Sequence, residues 1–186
     1  MGSIEPLVLT PGALRMRPWH ADDVDAVLAV QRDEAPLRLW AGGVSSRPEA
    51  EALLHRLMFQ ETRASWAVAD GRSGELLGGI SLHSVDAVQN DASIGYWTAA
   101  AARGRGVAAA AVDAACRWAF GALPVDRIEV CHAVENTASG RVAEKAGFTY
   151  EGHLRRSFRY GDGIKHDELI WSRLSDDPAP QLSSRS

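Results

Sequence analysis

Between Ala102 and Ala110 the chain reads ARGRGVAAA, two glycines and two arginines standing directly before a run of good helix formers. The glycines permit a tight turn and the alanines propagate a helix from Val107 onward, so the first N–H groups of that helix have no intrahelical acceptor. Amides converging at a helix mouth make an anion site, and Gly104 and Gly106 clear side-chain bulk from the path of a diphosphate arriving from the preceding strand. The fold must therefore deliver this turn at the end of the strand ASIGYWT.

Upstream, the chain is already rich in elements. ALRMRPW alternates, Leu14, Met16 and Pro18 against Arg15, Arg17 and Trp19, as a half-buried strand does. Asp22 and Asp23 suit the first turn of a helix whose inner face is Val24, Val27, Leu28 and Gln31. SRPE opens a second helix, with Ser46 as cap, Glu49 at the capping-box position, and Ala50, Leu53, Leu54, Leu57 and Met58 as its apolar stripe. Between them LRLWAGGVS reads as a mobile covering loop or a surface turn anchored by Trp40. SWAVAD and ELLGGISL form a hairpin across GRSG, and ASIGYWT adds a strand. After the long helix come the strand RIEVCHAV, the short helix TASGRVAEKAG closed by Gly147, and a hairpin of FTYEGHL and HDELIWSRL across Gly161-Asp162-Gly163. The expectation is an α/β (α+β) chain of about seven strands and about four helices, one domain over residues 1–174, with a polar, proline-bearing disordered tail over 175–186.

Composition narrows the function classes. Lysine and arginine number 20 against 24 acidic residues, a net charge of -4, which gives no electrostatic reason to seek DNA or an anionic membrane. MGSIEPLVLT lacks the basic start and apolar run of a secretory signal, and no apolar stretch is long enough to span a bilayer, so a cytoplasmic location is expected. Cys116 and Cys131 sit in apolar segments at a spacing unlike a metal pair; buried reduced thiols and no metal are expected. Gly104-x-Gly106-x-x-Ala109, with Glu129 about twenty residues beyond, meets the dinucleotide-binding pattern and keeps an NAD-binding oxidoreductase as an alternative. Against it, those glycines should follow the first strand of repeated βαβ units, whereas strands and helices already precede them here. No Gly-Lys-Ser or Gly-Lys-Thr closes the stretch as a P-loop would.

IGYWTAAAARGRGVAAAAV together with ENTASGRVAEKAGFTYEG resembles the GNAT superfamily of N-acyltransferases. The family's phosphate motif, Arg/Gln-x-x-Gly-x-Gly/Ala, is matched by Arg103-Gly104-Arg105-Gly106-Val107-Ala108 when the glycines take the close-approach positions. Asn136-x-x-Ser139 and Lys145-Ala146-Gly147-Phe148 are similar to the RimJ/RimL-type branch, which acetylates protein N-terminal amines and various small amines. The resemblance implies the GNAT fold, a mixed sheet splayed between strands 4 and 5, here ASIGYWT and RIEVCH, whose unpaired groups bind the pantetheine arm of acetyl-CoA or another acyl-CoA. It implies backbone contacts from Trp97 and Thr98, diphosphate contacts from Arg103, Gly104, Arg105, Gly106, Val107 and Ala108, a pantetheine contact from Asn136, and Ser139 near the sulfur as donor to the leaving thiolate. Asn136 is equally a good helix cap, and Arg105 equally a solvated surface residue.

An amine attacks a thioester only when neutral, and the cost of deprotonation at pH 7 is about 1 to 1.4 kcal/mol for an α-amine against about 4.6 for a lysine. Relatives often carry a glutamate just before the Ile-Gly-Tyr of this strand; Ser93 stands there instead, able to order a water but not to hold a proton. Alternation puts Ser93, Gly95 and Trp97 on one face and Ile94 and Tyr96 on the other, with Asp91 beside Ser93 as a replacement base. His83, Glu135 and His132 are further candidates. The resemblance places the acceptor pocket between the first helix pair and the closing hairpin, at Trp40, Arg38, Tyr160 and His166 with Arg155 and Arg159 nearby, a set that suits an aromatic or anionic acceptor. The expected partner is a protein N-terminus or a small-molecule amine, met by a monomer or homodimer. Ser93 also leaves a non-catalytic acyl-CoA-binding module as an alternative.

Overall fold

The computed structural model describes residues 4–32, 34–59 and 62–182. Seven strands, Leu14–Pro18 (β1), Ala64–Asp70 (β2), Leu76–Asp86 (β3), Asp91–Thr98 (β4), Arg127–Ala133 (β5), Thr149–Arg159 (β6) and Lys165–Leu174 (β7), form one sheet in the order β1-β2-β3-β4-β5-β7-β6. Among the described residues five α-helices, Val24–Gln31 (α1), Ala35–Ala41 (α2), Arg47–Met58 (α3), Val107–Ala122 (α4) and Thr137–Lys145 (α5), complete it. Neighbouring strands are antiparallel except β4 and β5, which run parallel because the crossover through α4 returns the chain in the same direction.

The period-2 pattern of the strands assigns their faces. In β4 and β5 the even positions Ala92, Ile94, Ile128, Val130 and His132 are buried beneath α4 and α5. Ala111, Ala115 and Ala119 are fully covered in α4, and their small side chains let that helix lie close on the strands. On the opposite face α1 and α3 bury Val24, Val27, Leu28, Ala50 and Leu54 against Trp19, Ala67 and Leu76. All four residues expected on the inner face of α1 are buried, Gln31 among them, whose side-chain oxygen accepts the Val44 N–H at 3.2 Å. α3 starts at Ser46 as expected, but Glu49 reaches back to the Ser45 N–H at 2.8 Å and Ser46 makes no side-chain cap bond.

Three expectations are revised. The segment read as a loop around Trp40 is the fifth helix, α2, started by Pro36 in its first turn and stopped by Gly42 in the left-handed conformation; the paired glycines terminate a helix here. Cys131 is an exposed free thiol, because its odd position in β5 faces away from α4, while Cys116 is buried and free as expected. The tail, expected to be disordered, makes defined contacts over 175–182: Ser175 donates to the Asp126 carbonyl at 2.9 Å, Asp177 accepts the Leu174 N–H at 2.8 Å, and the Pro180 ring lies over Gly147. Residues 183–186 lie outside the described residues.

Candidate active site

β4 and β5 pair through only three rungs, Asp91↔Arg127, Ala92↔Ile128 and Ser93↔Glu129, and then part. Ala99 N–H donates to Leu77 O at 2.8 Å, and peptide groups along a strand alternate between its two neighbours. The odd residues of β4 are thus committed to β3, while Ile94, Tyr96 and Thr98 turn their N–H and C=O toward the departed β5. Across the gap Val134 donates to Asp167 O at 3.0 Å, so by the same alternation Cys131 and Ala133 face the opening. Parted strands inside a sheet leave backbone groups that a ligand can pair.

Trp97 does not serve as expected. It pairs with Gly79, its indole covers that glycine, and it stacks on Trp19 with centroids 6.4 Å apart. Thr98 does face the gap, though its carbonyl accepts Arg103 Nε at 3.3 Å.

The mouth of α4 follows the open end of β4. Gly104 at φ +75° and Gly106 at φ +78° hold left-handed conformations, Gly106 is the N-cap, and the first helical bond is Ala110 N–H to Gly106 O at 3.1 Å. Val107, Ala108 and Ala109 therefore present N–H groups ahead of the first helical bond, and no side chain caps them. A Cβ at either glycine would meet nothing within 4 Å, so backbone conformation, rather than crowding within the chain, demands glycine there. Of the two arginines, Arg103 is engaged by Glu34 at 2.7 Å, which draws it toward α2, and Arg105 is exposed.

On the α4–α5 face Asn136 caps α5, its side chain accepting the Ser139 N–H at 3.3 Å. Ser139 Oγ lies 2.8 Å from the Tyr96 hydroxyl, which also donates to the Ser139 carbonyl at 2.9 Å. Burial pushes the Tyr96 phenol up to about 12, so it stays protonated through neutral pH. Tyr96 escaped the sequence reading; its neighbour across the gap comes from an element more than forty residues away, and no local pattern announces that contact.

The candidate bases scatter. Ser93 and His83 face each other across β3 and β4, and burial with the nearby Arg63 charge pulls the His83 imidazole below its ordinary value. Asp91 sits at the closed end of the gap. His132 lies on the other face with both nitrogens occupied, Nδ1 on the Ala133 carbonyl at 2.8 Å and Nε2 accepting from the Trp171 indole at 3.1 Å. That neutral tautomer leaves no lone pair for an amine. Glu135 is 3.3 Å from His166.

Three of the four expected acceptor residues gather. Trp40, Tyr160 and His166 meet edge to face at 5.2 to 5.6 Å, and the Asp162 hydrogen bond, with Glu135 beside it, raises the His166 imidazole above its ordinary value. α2 docks on the hairpin turn through the Gly161 N–H to Leu39 O bond at 3.0 Å; the Arg38 carbonyl lies so close that a Cβ at Gly161 would meet it at 2.2 Å, while the Arg38 side chain is exposed. Under this cluster is a residue the sequence reading missed: Glu168 is only 6% exposed and accepts from Tyr160 at 2.7 Å and Ser157 at 2.6 Å. Arg155 and Arg159 are exposed, and the cluster carries the His166 imidazole with the Asp162 and Glu135 carboxylates beside it and Glu168 beneath.

Among the described residues no group of three or more His, Cys, Asp or Glu suits a metal ion, and no helix is long and apolar enough to cross a membrane. The sequence pattern of the acetyltransferase (GNAT) domain matches residues 13–149. The putative ribosomal N-acetyltransferase YdaF of Bacillus subtilis is 41% identical over 101 residues, 54% of this chain and 55% of the relative, so that match spans about half of the relative's length. The structure of Mycobacterium smegmatis RimJ in complex with CoA-disulfide superposes with a TM-score of 0.78 at 26% identity, over 90% of this chain and 85% of that one. A GNAT-family acetyltransferase from Bacillus anthracis gives 0.81 at 22% identity, over 92% of this chain and 100% of that one. With a parallel pair that parts after three rungs and a glycine-opened helix at its mouth, this chain belongs to the GNAT acetyltransferase family, in its RimJ/RimL-like branch.

Proposed function

We propose that the chain transfers the acetyl group of acetyl-CoA to a primary amine, foremost the α-amine of a protein N-terminus, with small-molecule amines as the other acceptor class. The observation that carries this is the β4–β5 opening with the mouth of α4 at its end. A diphosphate at that mouth gains about 0.3 to 1 kcal/mol from the helix dipole, and up to about 2 when partly buried. Gly104, Gly106, Val107 and Ala108 would hold it through backbone N–H groups, with Arg105 adding charge. Ile94, Tyr96, Thr98 and Cys131 would complete their broken ladders on the amides of the pantetheine arm, and Asn136 would stiffen the turn beside it. Bound acetyl-CoA supplies an acyl group already activated as a thioester. Ser139, backed by the Tyr96 hydroxyl, would donate to the sulfur as it leaves.

The name of the YdaF relative favours a ribosomal protein as acceptor, and the energetics agree, since an α-amine is cheaper to deprotonate than a lysine. The test is to incubate the full chain with acetyl-CoA and a panel of peptides and small amines, following free thiol and product mass. An acetyl group gained at a peptide α-amine is expected. Binding of acetyl-CoA with no thiol released across the panel would make the chain a sensor, and tighter binding of NAD than of coenzyme A would overturn the assignment.

A further inference from the structure

Resting on that reading, we propose that Tyr160 and Glu168 form the proton relay that deprotonates the acceptor amine, Tyr160 Oη touching the amine and Glu168 receiving the proton through it. Serine at position 93 leaves the strand β4 without a carboxylate beside Ile94, and a buried carboxylate stands on β7, one strand behind the other lip of the opening, instead. Glu168 pairs across β7 and β5 with Ala133, an odd residue of β5, so its side chain shares the open face with Cys131, away from α4 and α5. Ala133 is one of the residues whose amide turns toward the gap, and the Tyr160 hydroxyl is bonded to Glu168 directly opposite it. The bond to Glu168 holds the phenol tip beside β5, while its ring belongs to the Trp40 and His166 cluster.

The bonding of Oη leaves room for one more partner. A phenolic oxygen has one proton and two acceptor sites; the proton goes to Glu168 Oε1 at 2.7 Å, which leaves acceptor capacity for an amine N–H. Burial, and next the bond to Glu168, holds the Tyr160 phenol well above its ordinary value, so it conducts a proton rather than losing one to water. Ser157 donates to Glu168 Oε2 at 2.6 Å and keeps the carboxylate turned toward Tyr160. The other ionisable groups facing the pair are Cys131, raised to about 11 by burial first and then by Glu168 and Glu129, and His166 with its partners Asp162 and Glu135.

The step balances. An ammonium N–H bond breaks as its proton passes to Oη, the Oη proton passes to Glu168 Oε1, and the carboxylate becomes a carboxylic acid. The freed nitrogen pair bonds to the acyl carbon, the carbon–sulfur bond breaks with its electrons on sulfur, and the nitrogen's second proton ends on that sulfur. Glu168 then returns its proton to water, so ammonium and thioester give amide, thiol and one released proton.

The relay is tested with Glu168→Gln, which retains a carbonyl to accept from Tyr160 but no base, and Tyr160→Phe, which retains the ring contacts but no hydroxyl. Each should lower kcat/KM for the peptide acceptor by about tenfold near pH 7, the size of the penalty for a protonated α-amine, and leave coenzyme A affinity by calorimetry unchanged. The ratio to wild type should recover to within about threefold near pH 10, where the α-amine is neutral without help. Because wild type carries the same Cys131 and His166 titrations, the ratio isolates the relay. Near-normal rates at about pH 7, or a loss of equal size at both pH values, would overturn the relay and leave the acetyltransferase reading intact. A wild-type chain that acetylates no amine at all would overturn that reading, and the relay with it.

Discussion

The Tyr96 hydroxyl stands 2.8 Å from Ser139 Oγ and 2.9 Å from the Ser139 carbonyl, so it can give its single proton to either oxygen, and giving it to Oγ leaves the serine proton for a sulfur. The two come from opposite sides of the opening, one from β4 and one from the first turn of α5. Their contact ties α5 to the parted strand.

Ser139→Ala is expected to lower turnover about tenfold or more with little change in coenzyme A affinity, since a donor that acts on charge developing at sulfur contributes only as the bond breaks. Tyr96→Phe should lower turnover less, because Ser139 keeps its hydroxyl and loses only its support. Steady-state kinetics with calorimetry checks both, and a Ser139→Ala protein with wild-type turnover would remove that serine from the chemistry.

Gly106→Ala separates conformation from contact. No atom lies within 4 Å of the added methyl, yet φ +78° costs an L-residue about 1–2 kcal/mol. The expected result is an unfolding free energy lowered by that amount and coenzyme A affinity reduced several-fold as the N–H groups of Val107 and Ala108 turn. Unchanged affinity would mean the diphosphate is held elsewhere.

How far the sequence carried the argument depends on range. The strands, the glycine-opened helix and the Asn136 cap were legible because period-2 alternation, helix propensity and capping are local, and the faces of Ser93 and Tyr96 followed from the same alternation. Which backbone edges face the gap is not legible there: the family resemblance implies Trp97, but the pairing of Ala99 with Leu77 puts Trp97 on the β3 side. Glu168 was hidden for a similar reason. In HDELIWSRL it is one of two adjacent acids, and only the return of Ser157 and Tyr160 over it distinguishes it from the exposed carboxylates around.

Glu151 gives the fold an acid-side dependence. Arg127, then Ser172, hold its carboxyl down to about 2 from an ordinary 4.5. A carboxylate depressed by folding stabilises above the unfolded value, and that contribution is lost as pH falls through the folded one. The stability lead of wild type over Glu151→Gln should therefore be full above about pH 5 and vanish toward about pH 2, as urea melts across that window would record. A lead that does not change with pH would place the difference in packing instead.

Behind the site, Arg173 of β7 reaches across to Asp113 of α4 at 2.9 Å and to the Ala146 carbonyl at 3.0 Å, with both charged side chains under one-tenth exposed. Asp113 also meets Arg117 at 3.0 Å, at the rim, where water screens it. A buried pair of this kind contributes little net, but deleting one partner strands the other without solvent. Asp113→Ala should accordingly cost about 3–5 kcal/mol in urea denaturation, whereas Asp113→Leu combined with Arg173→Met should recover most of that loss. Among the described residues Arg173 Nε finds no hydrogen-bond partner, so the double replacement also removes an unsatisfied donor and shifts the balance toward recovery. Because the pair joins α4 to the strand beside β5, the single variant should also weaken coenzyme A binding as the mouth of α4 loosens against the sheet. A cost below about 1 kcal/mol for Asp113→Ala would show that water reaches the pair and that α4 is held by its alanine face alone.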